Sequence, residues 1–315
     1  MKSGQFFTPN NLVDLLRSLI VPGMMAAGLF MVIASGNIDV SFPYTAMLCM
    51  FSVTKLFQVI DYQGPVILGF AIAGLIGALL GMINGVLAAW LKLPTLIITL
   101  GTCTIYLGFT QAVLKSSVIS VLPASLADMA ASELFTVRNA ATGLGSSMPI
   151  SIFILILTLA VVGIIMRFTM LGRGIYAVGG DPVAAERVGF RVSWIRIFVF
   201  TFMGLIAGIT GLTQVTLSGM CQINFFDGYE MTIIAAVVLG GASISGGTGT
   251  VFGTFLGVLL MKIISNNLIL LGIPTNWSKL MTGVLIIVGV SASAYKLVMK
   301  EKRVASDLLN SDERN

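Results

Sequence analysis

The chain has 315 residues, 57% of them hydrophobic and 10% charged, with a net charge of +5. A soluble domain carries about 25% charged and about 45–50% apolar residues, so this composition excludes an ordinary water-soluble enzyme. Its high hydrophobicity also excludes a disordered chain. Histidine is absent, which excludes histidine triads and histidine metal sites. Cys49, Cys103 and Cys221 lie in or beside apolar runs without metal-ligand spacing, and they read as small packing residues.

A bilayer crossing needs about 20 mostly apolar residues. Nine segments qualify in chain order: 18–36, 43–60, 64–91, 93–114, 149–166, 197–216, 230–244, 248–264 and 280–295. They predict an all-α, polytopic transmembrane helix bundle of about nine crossings. Segment 43–60 is the weakest because it carries Lys55, and it is the first choice for a re-entrant element. Glycines 240, 241, 246, 247 and 249 interrupt the seventh and eighth segments. Residues 1–17 lack the apolar run of a signal peptide. The expected organisation is an N-terminal segment (1–17), a transmembrane domain (18–295) containing a loop at 167–196, and a tail (296–315).

Basic loops stay in the cytoplasm. Residues 167–196 carry Arg167, Arg173, Arg187, Arg191 and Arg196, and the tail carries Lys296, Lys300, Lys302, Arg303 and Arg314. Both are therefore expected in the cytoplasm. The four spans between them make the two assignments agree. Residues 115–148 and 217–229 then fall outside, and so does the N-terminus, although Lys2 and Arg17 lean mildly the other way.

Glycines four apart, such as Gly77 and Gly81 or Gly204 and Gly208, predict close helix packing in lipid. Gly246-Gly247-Thr248-Gly249-Thr250 resembles a phosphate loop only superficially; no Gly-x-x-x-x-Gly-Lys-Ser/Thr occurs. Polar residues inside spans are costly and face cavities or partners. Asn84, Thr99 and Thr102 are the best residues for lining a path, with Asp39 and Asn37 beside them. Each also has a plainer role. Asp39 or Ser41 caps the helix that follows, and Asn84 makes an interhelical hydrogen bond.

In the 167–196 loop, Gly179-Gly180 forms a turn, Asp181 sits at an N-cap, and Pro182 takes the first helical position. A short helix over Val183–Val188 follows, with Gly189 able to stop it. Its outer face is expected to offer Ala184 and Ala185, with Arg173 and Arg187 nearby. The element reads as an ordinary connector or as a docking helix for a cytoplasmic partner.

Four stretches carry a resemblance. They are Gly36-Asn37-Ile38-Asp39-Val40-Ser41; Gly81-Met82-Ile83-Asn84-Gly85 with Leu93-Pro94-Thr95 through Gly101-Thr102; Gly172-Arg173-Gly174 through Asp181-Pro182-Val183-Ala184-Ala185; and Gly228-Tyr229-Glu230 through Ser245-Gly246-Gly247. The sequence resembles the permease subunits of bacterial ABC importers. The branch is that of ribose, simple-sugar and autoinducer-2 permeases, within the wider branched-chain amino acid and ribose permease superfamily. The resemblance implies an inner-membrane subunit that is not itself an enzyme. Its implied partners are a cytoplasmic ABC ATPase docked on Arg173, Gly180, Asp181, Pro182, Ala184, Ala185 and Arg187, a periplasmic binding protein that delivers the sugar, and a second permease subunit, identical or different. No cofactor and no nucleic acid are expected. The resemblance also implies one further span ahead of the segment matching Phe6 to Leu12, and a chain lacking it starts outside. Asn37 replaces a usual glycine, Phe42-Pro43 replaces small residues, and Lys55 enters a usually apolar span. These departures bear on substrate choice.

The alternatives within the class are autoinducer-2 or branched-chain amino acid transport. A stand-alone secondary transporter or channel would want ionisable residues in its spans. Here only Lys55, Lys262 and Glu230 at a helix start are available, which favours an externally powered device. An intramembrane enzyme lacks its histidines and its paired carboxylates.

Overall fold

The computed structural model describes residues 8–91, 93–115, 118–138 and 145–270, with single helical positions at 277, 280, 283, 284, 287 and 291. The fold is a helix bundle built around two long helices. α1 (Pro9–Ala34) starts on Thr8, whose side chain accepts from the Asn11 N–H, and on a proline in the first turn. From Leu19 to Ala34 every side chain is buried, as expected of a helix that is apolar all round. α9 (Val192–Ser218) closes on Gly219 in the left-handed conformation.

The other described helices wrap this pair. They are α2 (Phe42–Val59), α3 (Ile67–Leu91), α4 (Thr95–Ala112), α5 (Ala124–Ala131), α6 (Ile152–Phe168), α7 (Met170–Gly180), α8 (Pro182–Arg187), α10 (Tyr229–Leu239) and α11 (Val251–Leu270). α3 and α9 form the most extensive pairing. Their backbones touch directly: a Cβ on Gly77 would collide with the Gly204 carbonyl, and one on Gly81 with the Phe200 carbonyl. The four-residue glycine spacing is thus a helix-packing seam.

Among the described residues, α1, α3, α4 and α9 are long and apolar enough to cross a membrane. α6 and α7, bent by 74° at their junction, together qualify as one broken span. Among the described residues, four or five of the expected nine crossings thus meet that test by length and composition. α2 is a continuous helix but does not meet that threshold. The 230–244 segment departs most from expectation. α10 has 11 residues, or about 16 Å at 1.5 Å per residue, against a hydrocarbon core of about 30 Å. Gly241, Gly246, Gly247 and Gly249 all adopt positive φ and turn the chain back before α11 begins at Val251. Most of the expected ninth crossing, 280–295, and the whole tail, 296–315, lie outside the described residues, as do residues 1–7.

A small antiparallel hairpin, β1 (Glu133–Arg138) with β2 (Gly145–Pro149), departs from the all-helical expectation. It fastens to the start of α1: Asn10 donates to the Val137 carbonyl (2.9 Å), and Ser146 donates to Asp14 (3.0 Å). Ile119 and Cys221 exchange backbone hydrogen bonds of 2.9 Å, and Arg17 donates to the Leu217 carbonyl (2.9 Å). The start of α1, residues 118–138 and 145–149, and the end of α9 thus gather at one end of the bundle. The α7–α8 unit, the α1–α2 connection and the α10–α11 turn meet one another elsewhere, through Gly36, Gly179 and Gly247.

Candidate functional site

The α1–α2 connection, residues 35–41, is held by side chains from α3 and α4. Thr95 accepts from the Ile38 N–H (3.0 Å) and Thr99 from the Val40 N–H (3.3 Å). One oxygen of Asp39 accepts from both the backbone and the hydroxyl of Ser41, each at 2.7 Å. Asn84, deep in α3, donates to the Ser41 hydroxyl (2.8 Å). Asn84, Thr99 and Asp39 thus meet on one connection. Ser41, at the N-cap position of α2, makes no side-chain cap bond, so Asp39 braces the turn ahead of the helix rather than capping it, while Asn84 makes an interhelical hydrogen bond. Asn37 bonds locally to the carbonyl and hydroxyl of Ser35 (3.0 and 2.8 Å). Thr102 donates to the Thr99 carbonyl in its own helix (3.3 Å).

This network gives an ordered pair of expected stabilities. Asp39→Ala orphans buried donors, each worth about 1–3 kcal/mol. Asn84→Ala removes one hydrogen bond and relieves an oxygen, Oδ1, that is buried without a partner; its net cost is about 1 kcal/mol or less. Thermal unfolding in detergent should rank wild type close to Asn84→Ala, with Asp39→Ala well below both.

The short helix forms from local chemistry. Asp181 accepts from the N–H groups of Val183 (2.8 Å) and Ala184 (3.1 Å), and Pro182 fills the first turn. Gly189, at φ +97°, lets the chain leave, and the Phe190 N–H returns to the Ala185 carbonyl (3.0 Å). The outer face differs from expectation. Ala184 is exposed, but Ala185 is 2% exposed and packs inward. The outward apolar surface comes instead from Val183 (59%) and Val188 (75%), with Arg173, Gly180 and Arg187 also exposed. A six-residue helix carries too little periodicity for sequence to fix its rotation.

The α7–α8 unit is anchored at its base. The Gly247 N–H donates to the Ala34 carbonyl (3.0 Å), and a Cβ on Gly179 would collide with that same carbonyl. Tyr176 donates to the Gly249 carbonyl (3.0 Å). A cavity of about 990 Å³ opens beside this junction. Asn37, Ile38, Pro94 and Thr95 form one wall, and Pro182, Val183, Glu186 and Arg196 line the rest. It therefore joins the connection between α1 and α2 to the short helix. Sequence reasoning passed over Thr95 and Val183. Thr95 stands in the Leu93-Pro94-Thr95 stretch, where a threonine after a proline signals a helix start with a free hydroxyl.

Comparison with known proteins adds the following. Residues 11–290 match the family described as "Branched-chain amino acid transport system / permease component". The chain is 32% identical over 295 residues to the ribose import permease protein RbsC of Haemophilus influenzae, covering 94% of this chain and 88% of that protein. It is 33% identical over 273 residues to the autoinducer 2 import system permease protein LsrC of Yersinia pseudotuberculosis, covering 85% and 72%. No solved structure matches the chain.

Proposed function

Because the chain belongs to the branched-chain amino acid transport system permease family, we propose that it is the membrane-spanning subunit of an ABC importer for a small sugar-like molecule. It is a multi-pass membrane protein and a transport subunit, with the energy supplied by a separate cytoplasmic ATPase. The bacterial inner membrane is its place, with a binding protein delivering cargo from the periplasm and a second permease subunit completing the pore.

The observation that carries this reading is the capped helix α8. It presents Val183, Ala184 and Val188 outward beside Arg173 and Arg187. It is also anchored through Gly179 and Gly247 to the end of α1 and the α10–α11 turn. A partner that moves α8 thereby acts on the bundle. Arg173, Gly180, Asp181, Pro182, Ala184 and Arg187 form the docking element, and Ala185 serves it from beneath. Asn37, the Asp39 carboxylate, the Asn84 amide and the hydroxyls of Thr99 and Thr102 lie where the cargo path meets that element. The relatives named for ribose and autoinducer 2 favour a compact polyhydroxylated cargo.

The α7–α8 end is assigned to the cytoplasm and the hairpin end to the periplasm, following the arginines of 167–196. Uptake of labelled D-ribose in a strain deleted for this chain tests the function. Restoration by the chain, blocked by excess autoinducer 2 if the path is shared, is the expected result. A strain whose uptake of both sugars is unchanged by the deletion would overturn the reading. A reporter at the N-terminus should read periplasmic, and a cytoplasmic reading would overturn the assigned orientation.

A further inference from the structure

A cleft of about 780 Å³ lies between α6 and α11, within the range of about 300–1,000 Å³ typical of small-molecule sites. Leu159, Met166, Phe252 and Phe255 make its walls apolar. Gly163 leaves room in the α6 wall, since a Cβ there would meet nothing within 4 Å. α6 belongs to the broken span, so acyl chains rather than water fill an apolar opening along it. One end of the cleft is charged. Arg167, in the last turn of α6, is exposed and lines the cleft, and no acidic side chain does so among the described residues. The first turn of α11 lies on the same cleft. Thr250 takes the Gly253 N–H (3.0 Å), and the Val251 and Phe252 N–H groups make no hydrogen bond among the described residues. A helix start carries about half a positive charge and a helix end about half a negative one. The start of α11 thus offsets the end of α6, and the full charge of Arg167 remains. Tyr176 of α7 also lines the cleft, while its hydroxyl holds the Gly249 carbonyl (3.0 Å).

We propose that this cleft binds an anionic phospholipid of the cytoplasmic leaflet, with an acyl chain between α6 and α11 and the phosphate on Arg167 and the first amides of α11. The choice of leaflet rests on the orientation proposed above, which puts Arg167 at the cytoplasmic side. A guanidinium meets a phosphate with paired N–H donors, and the Thr250 hydroxyl keeps a proton to donate. The cytoplasmic leaflet is rich in anionic headgroups, and basic pockets between spans on that side bind them. A zwitterionic headgroup brings an ammonium to the same place, where the uncompensated charge of Arg167 repels it. The bound lipid lies against Tyr176, and through it against the α7–α8 unit that carries the docking helix.

Native mass spectrometry reads the site. The protein is extracted in mild detergent with the subunits that accompany it, and is offered equal amounts of phosphatidylglycerol and phosphatidylethanolamine. Phosphatidylglycerol should be retained several-fold over phosphatidylethanolamine. Arg167→Gln should bring the two close to equality without changing the thermal midpoint. Gly163→Leu places its side chain in open space, so the chain should fold, and retention of both lipids should fall to less than half. Ala160→Phe, from an exposed position on the same wall, should block the cleft in the same way. Arg138→Gln, in the hairpin, should bind as wild type does. Inorganic phosphate at tens of millimolar should not displace the lipid, since it has no acyl chain. Equal retention of the two lipids by wild type overturns the proposal. So does a preference that survives Arg167→Gln, retention that survives both blocking variants, or full displacement by phosphate. Wild-type protein that holds neither lipid means that another part of the chain or a second subunit fills the cleft, and it also overturns the proposal. Lipid retention needs neither transport nor a sealed vesicle. A failure of the importer reading or of the orientation therefore shows in the uptake and reporter experiments and leaves this result standing.

Discussion

Gly204→Leu is expected to leave no folded protein that can be extracted from the membrane. Overpacking a side chain into a core costs about 1–3 kcal/mol because neighbouring side chains shift. At this position there is no side chain to shift. A Cβ on Gly204 would collide with the Gly77 carbonyl and lie 2.9 Å from the Gly81 Cα. The α3 and α9 backbones must then separate along their whole contact, which removes the seam that joins α3 to the core. Total stabilities of about 5–15 kcal/mol leave little to absorb that. Gly108→Ala is the matched control, since a Cβ there meets nothing within 4 Å. It should be neutral or slightly stabilising, as alanine gains about 1 kcal/mol over glycine in a helix. Size-exclusion profiles in mild detergent read both outcomes. A monodisperse Gly204→Leu protein would show that the seam is looser than described.

Val183→Glu combined with Val188→Glu should leave the protein folded and inserted while abolishing retention of the ATPase. Both side chains point away from the bundle, so the folded chain has little to lose. In the docked complex they would bury unpaired charge, at about 3–5 kcal/mol, or roughly 100- to several-thousand-fold in affinity. Ala185→Glu makes the contrast. Its side chain is buried within the chain, so it should damage folding as well as docking. Co-purification of the ATPase with tagged permease, read beside the thermal midpoint of each variant, separates the two effects. An ATPase still retained by the double variant at wild-type yield would move the docking surface away from α8.

What the sequence disclosed depended on how local the determining physics was. Asp181-Pro182 and Gly189 announce the limits of α8 because capping uses neighbours in the chain. The rotation of that helix depends on what lies beneath it, so the inward turn of Ala185 was not legible. Asn84, Thr99 and Asp39 stood out as polar residues in apolar surroundings, but their meeting on residues 35–41 depends on α3 and α4 packing beside the connection. The glycines at 240–249 marked a break, while the shortness of α10 depends on where the left-handed positions fall. Glu133 to Arg138 carries no clean alternation, since most of the strand is exposed, and the hairpin went unseen. Arg167 read as one of several cytoplasmic charges, because only the packed bundle sets the end of α6 beside the start of α11.

The central claim, that this chain is the membrane path of an importer powered from outside itself, is tested most directly by reconstitution. The chain is placed in proteoliposomes with the ATPase and binding protein of its own system, and labelled D-ribose uptake is followed with and without ATP. Accumulation is expected only when all three proteins and ATP are present, and the chain alone should hydrolyse no ATP. Ribose accumulation by the chain alone, or driven by an imposed proton or sodium gradient, would contradict the account.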